Sequence, residues 1–320
     1  MSQVLTAAPG GLTVSPRVEE RLRSGELTQA QVDEFRDFLA AVDRDLLNHR
    51  IIKDNAYTRW LQRGEATDQE LKHFVKQFSV FSNQFLVAQL LKVINAPSLE
   101  QMRAGKEILM NELGVVYRKP GPLPTPLPPG ERGSREGSGN GSRSEEQKDL
   151  EGDPELVNIE GTVDGSVYRH RAAHYEWLLG VGEPLGLGYK DLGKRWHGRP
   201  TTLHFCNELQ RIYGSEDPMI AEGASFAVEN WAAAGFWQEI EDGLLKIKKA
   251  RIPNLRLAFF TWHNRVEGQH AGHVMEELEE TYFAPHFDRE KFFKGGREML
   301  DGVAVFWDGL EQDRLHRVYT

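Results

Sequence analysis

The sequence predicts an all-α protein, a single bundle of about seven or more helices broken by one unstructured insertion. Three observations carry this reading. Apolar residues recur at three- and four-residue steps through most of the chain, while two-residue alternation is scarce. Helix-start signals stand ahead of these runs. The one sharp break in composition lies in mid-chain, within an otherwise uniform helical pattern, so the 320 residues read as one domain with an insertion.

The elements follow in order. Residues 1–15 form a loose tail, and the domain is drawn over 16–320. Thr28-x-x-Gln31, Thr67-x-x-Glu70 and Ser98-x-x-Gln101 have capping-box spacing ahead of amphipathic runs. The run from Leu71 to Ile94 carries Phe74, Phe78, Phe81 and Phe85 on one stripe and stops before Pro97. The next helix ends at Asn111-Glu112-Leu113-Gly114, where Gly114 suits a left-handed terminus. Residues 119–153 pass from Pro-rich to Gly/Ser-rich to charged. Such a stretch buries too little apolar surface to offset its ordering entropy, so a disordered insertion is drawn at about 119–158. Helices are then predicted near 167–182, 201–213, 217–249 with a break at Gly235, 255–282 and 288–317.

Composition narrows the function classes. A net charge of −9 argues against a broad nucleic-acid-binding face. No apolar run reaches the ~18 residues of a membrane span. The opening MSQVLTAAPGGLTVSP lacks the basic and apolar regions of a secretory signal, so none is expected. Cys206 is the only cysteine, which makes a reducing cytoplasm the expected compartment. A homodimer is the default assembly, being the commonest closed one.

Eleven histidines are more than packing requires. They matter most in Phe259-Phe260-Thr261-Trp262-His263-Asn264-Arg265-Val266-Glu267-Gly268-Gln269-His270-Ala271-Gly272-His273. On a helix, His263, Glu267 and His270 fall within an arc of roughly 60°. Two imidazoles and a carboxylate on one stripe make a set of metal ligands suited to iron, manganese or zinc. His273 lies further round, at the rim. The first His is not followed by Glu, so this is not the zinc-peptidase motif. Against the metal reading, Asn264, Arg265 and Gln269 mark a solvated face. In its favour, Phe259, Phe260 and Trp262 pack the helix start, and Gly268 and Gly272 allow close approach.

A dinuclear site needs further ligands from other helices. Glu112 ends its helix, and by itself reads as an exposed acid. His174 opens the run His-Tyr-Glu-Trp-Leu-Leu, with a surface histidine as the competing reading. Glu229 sits in Ala-Ser-Phe-Ala-Val-Glu-Asn-Trp, where an unpartnered buried carboxylate is costly, and Glu222 is the reserve seven residues earlier.

This pattern resembles the haem-oxygenase-like diiron oxidases, whose helical fold is shared with the TenA thiaminases and the pyrroloquinoline-quinone synthase family. The resemblance spans roughly residues 50–285. It includes Gly64 ahead of Gln77-x3-Phe81 and the Asn-Glu-Leu-Gly ending at 111–114. The family's ligands map onto Glu112, His174, Glu229, His263, Glu267 and His270. Two departures stand out: 62 positions separate Glu112 from His174, and Glu267 replaces a common Asp. A surface loop lengthens at small cost, so the first departure still lets the two residues meet.

The resemblance implies two iron ions, with manganese or a mixed manganese–iron pair as alternatives. It also implies dioxygen and a small organic molecule as reactants. Phe78, Phe81, Trp231 and Trp262 are candidates for lining the substrate pocket, although a core role competes for each. Family outcomes include N-oxygenation of amines, oxidative C–C cleavage of amino acids and decarboxylation of fatty acids, with a polar amino-acid-like substrate favoured. A metal-free enzyme of the TenA or PqqC type is the alternative. A thiaminase reading wants a nucleophilic cysteine, whereas Cys206 reads as a small core residue. A haem reading wants an axial histidine, for which His49 and His73 lack support. A non-catalytic helical binding protein is the remaining alternative.

Overall fold

The computed structural model describes residues 12–118, 159–163, 166–170 and 174–319, with side chains left undescribed in the strands and over much of 266–277. Twelve α-helices are numbered here among the described residues. They are α1 Pro16–Arg23, α2 Gln29–Val42, α3 Arg50–Lys53, α4 Ala56–Leu61, α5 Asp68–Ile94 and α6 Leu99–Glu112. After the insertion come α7 His174–Gly182, α8 Pro200–Tyr213, α9 Pro218–Ala232, α10 Phe236–Ala250, α11 Ala258–Tyr282 and α12 Arg289–Leu315. A π-helical turn, Asp43–Leu47, extends α2.

The predicted starts are built as the sequence implies. Thr28 and Thr67 each accept from the backbone three residues on, while Gln31 and Glu70 reach back to close a capping box. Ser98 accepts from Gln101 N at 3.1 Å. Asp217, with Pro218 behind it, and Asp288 cap α9 and α12. Gly235, at φ 96°, turns the chain between α9 and α10 and splits the predicted run there. Of the predicted tail, residues 1–11 lie outside the described residues, while Leu12 and Val14 pack on the core, and Ser15 caps α1 and donates to Glu279 Oε2 at 2.8 Å.

α5 runs through the centre. Its Phe74 and Phe78 are fully buried and meet Phe260 of α11 and Trp307 of α12 at ring distances of 5.7–6.4 Å. α12 lies almost in backbone contact with α9. A Cβ on Gly223 would stand 1.9 Å from Phe292 O, and one on Gly295 would stand 1.9 Å from Ile220 O. Such approach needs hydrogen at both positions.

One feature departs from the predicted helices. A three-stranded antiparallel sheet, in the order β1-β3-β2, stands where the chain leaves and re-enters the bundle. β1 is Val115–Arg118, β2 is Ile159–Val163 and β3 is Ser166–His170. The helix expected from residue 167 therefore starts only at His174. Ser-Val-Tyr-Arg-His is rich in residues that favour a pleated surface, and pairing on both sides decides its state. The insertion predicted at 119–158 lies outside the described residues.

Candidate metal centre

The sheet positions the first two candidate residues. Glu112 is the last residue of α6, and Gly114, at φ 71°, turns the chain into β1. His174 is the first residue of α7, just after β3. Val115 pairs with His170 in the β1–β3 ladder. The pairing brings the end of α6 against the start of α7, and Glu112 Oε2 accepts from His174 Nδ1. A carboxylate only accepts, so Nδ1 carries a proton and, in the neutral ring, Nε2 carries the lone pair. His174 is 5% exposed, and its Nε2 is buried without a hydrogen-bond partner.

His263 reaches the same place from the second turn of α11. Its Nδ1–H donates to Phe259 O at 2.6 Å, which again leaves Nε2 as the lone-pair nitrogen. The two imidazoles lie 4.6 Å apart, centroid to centroid. Aromatic rings wall them in. Trp237 stacks on His263 at 4.4 Å and 22°, Phe259 lies 4.2 Å from His263, and Trp262 lies 5.0 Å from His174. Trp177 adds a further ring 5.6 Å from His174.

The other candidates are placed as follows. Glu229 is half-buried in the last turn of α9, and its charge acts on Tyr213 of α8, whose hydroxyl is driven strongly upward in pKa by burial first and Glu229 second. Glu222 accepts from Gln101 Nε2 of α6 at 3.4 Å. Glu267 and His270 are on α11, one and two turns beyond His263, but their side chains lie outside the described residues. Among the described residues no three His, Cys, Asp or Glu side chains gather closely enough to hold a metal.

Three donors expected elsewhere are engaged or inert. Cys206 is fully buried, and burial pushes its thiol up to about 12, so it stays neutral. His49 Nε2 contacts Asp301 at 3.2 Å, and His73 Nε2 contacts Asp313 at 3.1 Å. Of the predicted pocket aromatics, Trp262 flanks His174. Phe78 belongs to the core, and Trp231 stacks on Phe236 at 4.2 Å. Sequence reasoning missed Trp177, Trp237 and the Phe259 carbonyl. Each reads as ordinary core or backbone until the helices are packed.

An imidazole nitrogen buried among aromatic rings with its lone pair unused is costly unless something occupies it. The carboxylate on its other nitrogen is the arrangement that orients metal-bound histidines. The donor set of imidazole and carboxylate fits iron or manganese.

No family model matches the chain, and no curated protein does. Solved structures do. A CADD-like protein of unknown function from Nostoc punctiforme PCC 73102 is 15% identical, with a TM-score of 0.53, over 92% of this chain and 99% of its own. A domain of unknown function with a heme oxygenase-like fold, from Shewanella denitrificans OS217, is 14% identical, with a TM-score of 0.50, over 91% and 96%. The chain has the haem-oxygenase-like fold, and none of its described helices is long and apolar enough to cross a membrane.

Proposed function

We propose that this protein is a non-haem diiron oxidase that uses dioxygen to oxidise a small organic substrate. The observation that carries the reading is His174: buried, held by Glu112 through Nδ1, with Nε2 unpartnered 4.6 Å (ring to ring) from His263. Glu112, His174, Glu229, His263, Glu267 and His270 are the residues that would hold the metals. Bound iron supplies the electrons that dioxygen requires, and three imidazoles with three carboxylates leave coordination positions open for small ligands.

The chain itself contributes orientation and burial. Glu112 keeps the His174 proton on Nδ1, and Phe259 O does the same for His263, so both rings present Nε2 as a donor. Trp177, Trp237, Phe259 and Trp262 pack against the two rings, and the burial of His174 strengthens charge interactions at its nitrogens.

Metal analysis of protein produced in iron-supplemented medium tests the proposal. Two irons per chain are expected, and most of that iron should be lost in His174→Ala and His263→Ala. Wild-type protein without bound metal would favour a metal-free enzyme or a binding scaffold instead.

A further inference from the structure

Between α7 and α8 the chain runs from residue 183 to residue 199 with only two short 3-10 turns, Glu183–Leu185 and Arg195–His197. A connection this long is not left loose. Gly193 N donates to Ser79 Oγ at 2.8 Å, and Asn83 Nδ2 donates to Gly193 O at 2.9 Å. Gln77 Nε2 donates to His197 O at 2.8 Å, while Gln77 Oε1 accepts from Arg199 N at 2.7 Å. Gln77 and Ser79 are fully buried, and Leu187 and Leu192 are buried from the loop side. Three polar side chains of the central helix α5 therefore hold this loop in one shape.

The surface so held differs from the rest of the chain. Trp196 is 76% exposed, more than any other large apolar side chain among the described residues, and Tyr189 is 64% exposed. Lys190, Lys194 and Arg195 stand among them. Lys194 Nζ lies 3.8 Å from the Tyr189 ring centre, and Arg195 donates to Asn207 Oδ1. None of the three makes an ion pair among the described residues. The acids close by are engaged: Asp191 accepts from Gly188 N at 2.8 Å, and Glu183 lies 3.7 Å from Arg256. In a chain of net charge −9 this is a local excess of positive charge beside exposed rings. Trp, Tyr and Arg dominate binding at interfaces, and a loop already fixed loses little entropy on docking.

The loop also lies against the candidate metal centre. Tyr175, the residue after His174, donates from its hydroxyl to Leu192 O at 2.9 Å. Its ring stands 5.9 Å from that of Tyr189, and a Cβ on Gly193 would stand 2.3 Å from Tyr175 Cε2. One ring-to-ring step and one peptide bond thus connect exposed Tyr189 with His174.

The chemistry of a partner follows from the electron count. Dioxygen takes four electrons on its way to water. A substrate oxidised by two electrons supplies half of them, and two ferrous ions becoming ferric supply the rest. Two electrons must then return to the iron, and a chain whose one cysteine is Cys206 has no dithiol to give them. Electron-transfer encounters bury less than about 1,200 Å², so a small rigid patch suits such a partner better than a permanent subunit.

We propose that Tyr189, Lys190, Lys194, Arg195 and Trp196 form the docking surface for a small acidic one-electron carrier protein, which reduces the iron from the Tyr175 side of His174. The proposal rests on the oxidase reading for its electrons, whereas docking itself needs only the loop. Each reduced carrier gives up one electron and leaves oxidised, and two such encounters return two ferric ions to the ferrous state. The net negative charge of the chain and the small extent of the patch disfavour nucleic acid as the occupant.

Calorimetric titration of the full-length protein, purified from iron-supplemented medium, with an oxidised acidic [2Fe–2S] ferredoxin tests the surface. Binding should weaken about tenfold in Trp196→Ala, and at least as much in Lys190→Glu/Arg195→Glu. It should also fall with added salt, and the basic carrier cytochrome c should not bind. Reduction of the ferric protein by sub-saturating reduced ferredoxin should slow in the same proportion, while reduction by dithionite and iron content stay at the wild-type level. No ferredoxin binding, equal binding by wild type and both variants, or a reduction rate that the variants leave unmoved would overturn the proposal. So would a single-stranded oligonucleotide that binds as tightly as ferredoxin and loses as much in Trp196→Ala. Iron measured on the same samples separates the two readings. Iron without loop-dependent binding removes only the docking surface, whereas loop-dependent binding by a chain without iron removes the oxidase and leaves the surface.

Discussion

Glu112 and His174 touch across 62 positions of chain, and the ladder that pairs Val115 with His170 is what joins them. The sheet thus stands beside the two helix ends that carry the candidate ligands, with β1 starting at Val115 after Glu112 and β3 ending at His170 ahead of His174. Lengthening the chain between two paired strands costs little entropy, so a long separation in sequence is compatible with this contact.

Breaking that sheet should release the pair. Val116 and Tyr117 lie opposite Arg169 and Tyr168 in an edge strand, and consecutive prolines there must remove a ladder bond. The double variant Val116→Pro/Tyr117→Pro should keep its helical circular dichroism and lose more than about half of its bound iron. Iron retained at the wild-type level would show that the helices alone hold the pair.

The contact between α9 and α12 should tolerate no methyl group. Alanine at Gly223 sets its Cβ against the Phe292 carbonyl, a backbone atom with nowhere to go. Overpacking of this kind costs about 3 kcal/mol, so Gly223→Ala should lower the melting temperature by several degrees. An unchanged melting temperature would mean that the helices separate freely. Since α9 also carries Glu229, iron loading should fall with stability.

Acid should weaken the fold through His73. Its ring contacts Asp313, which Arg199 also engages, and Lys76 and Tyr319 lie near. Burial outweighs the pull of Asp313, so the folded-state pKa lies below the ordinary 6.5. The unfolded chain therefore takes the proton first. Stability falls as pH drops from about 6.5 through the lowered folded value, and the loss is complete below it. Melting temperatures measured from about pH 7 to about pH 5 should drop less steeply in His73→Gln than in wild type. Parallel curves would remove His73 from the acid response.

Much of the fold is legible in the residues. Thr28, Thr67 and Ser98 mark helix starts because a side-chain oxygen and an acceptor three positions on satisfy local donors, whatever the rest of the chain does. Gly114 and Gly235 mark ends because positive φ is a local demand. Residues 167–170 read as the start of a helix on their local pattern, whereas strand state depends on partners, here β2 just ahead and β1 about fifty positions earlier.

The site divides in the same way. That His263, Glu267 and His270 share one helical face follows from the 3.6-residue period and needs no tertiary knowledge. That His174 meets His263 and that Trp237 covers His263 are decided only when separate helices pack. Periodicity is a property of one segment, whereas proximity between segments is set by the close packing of all of them.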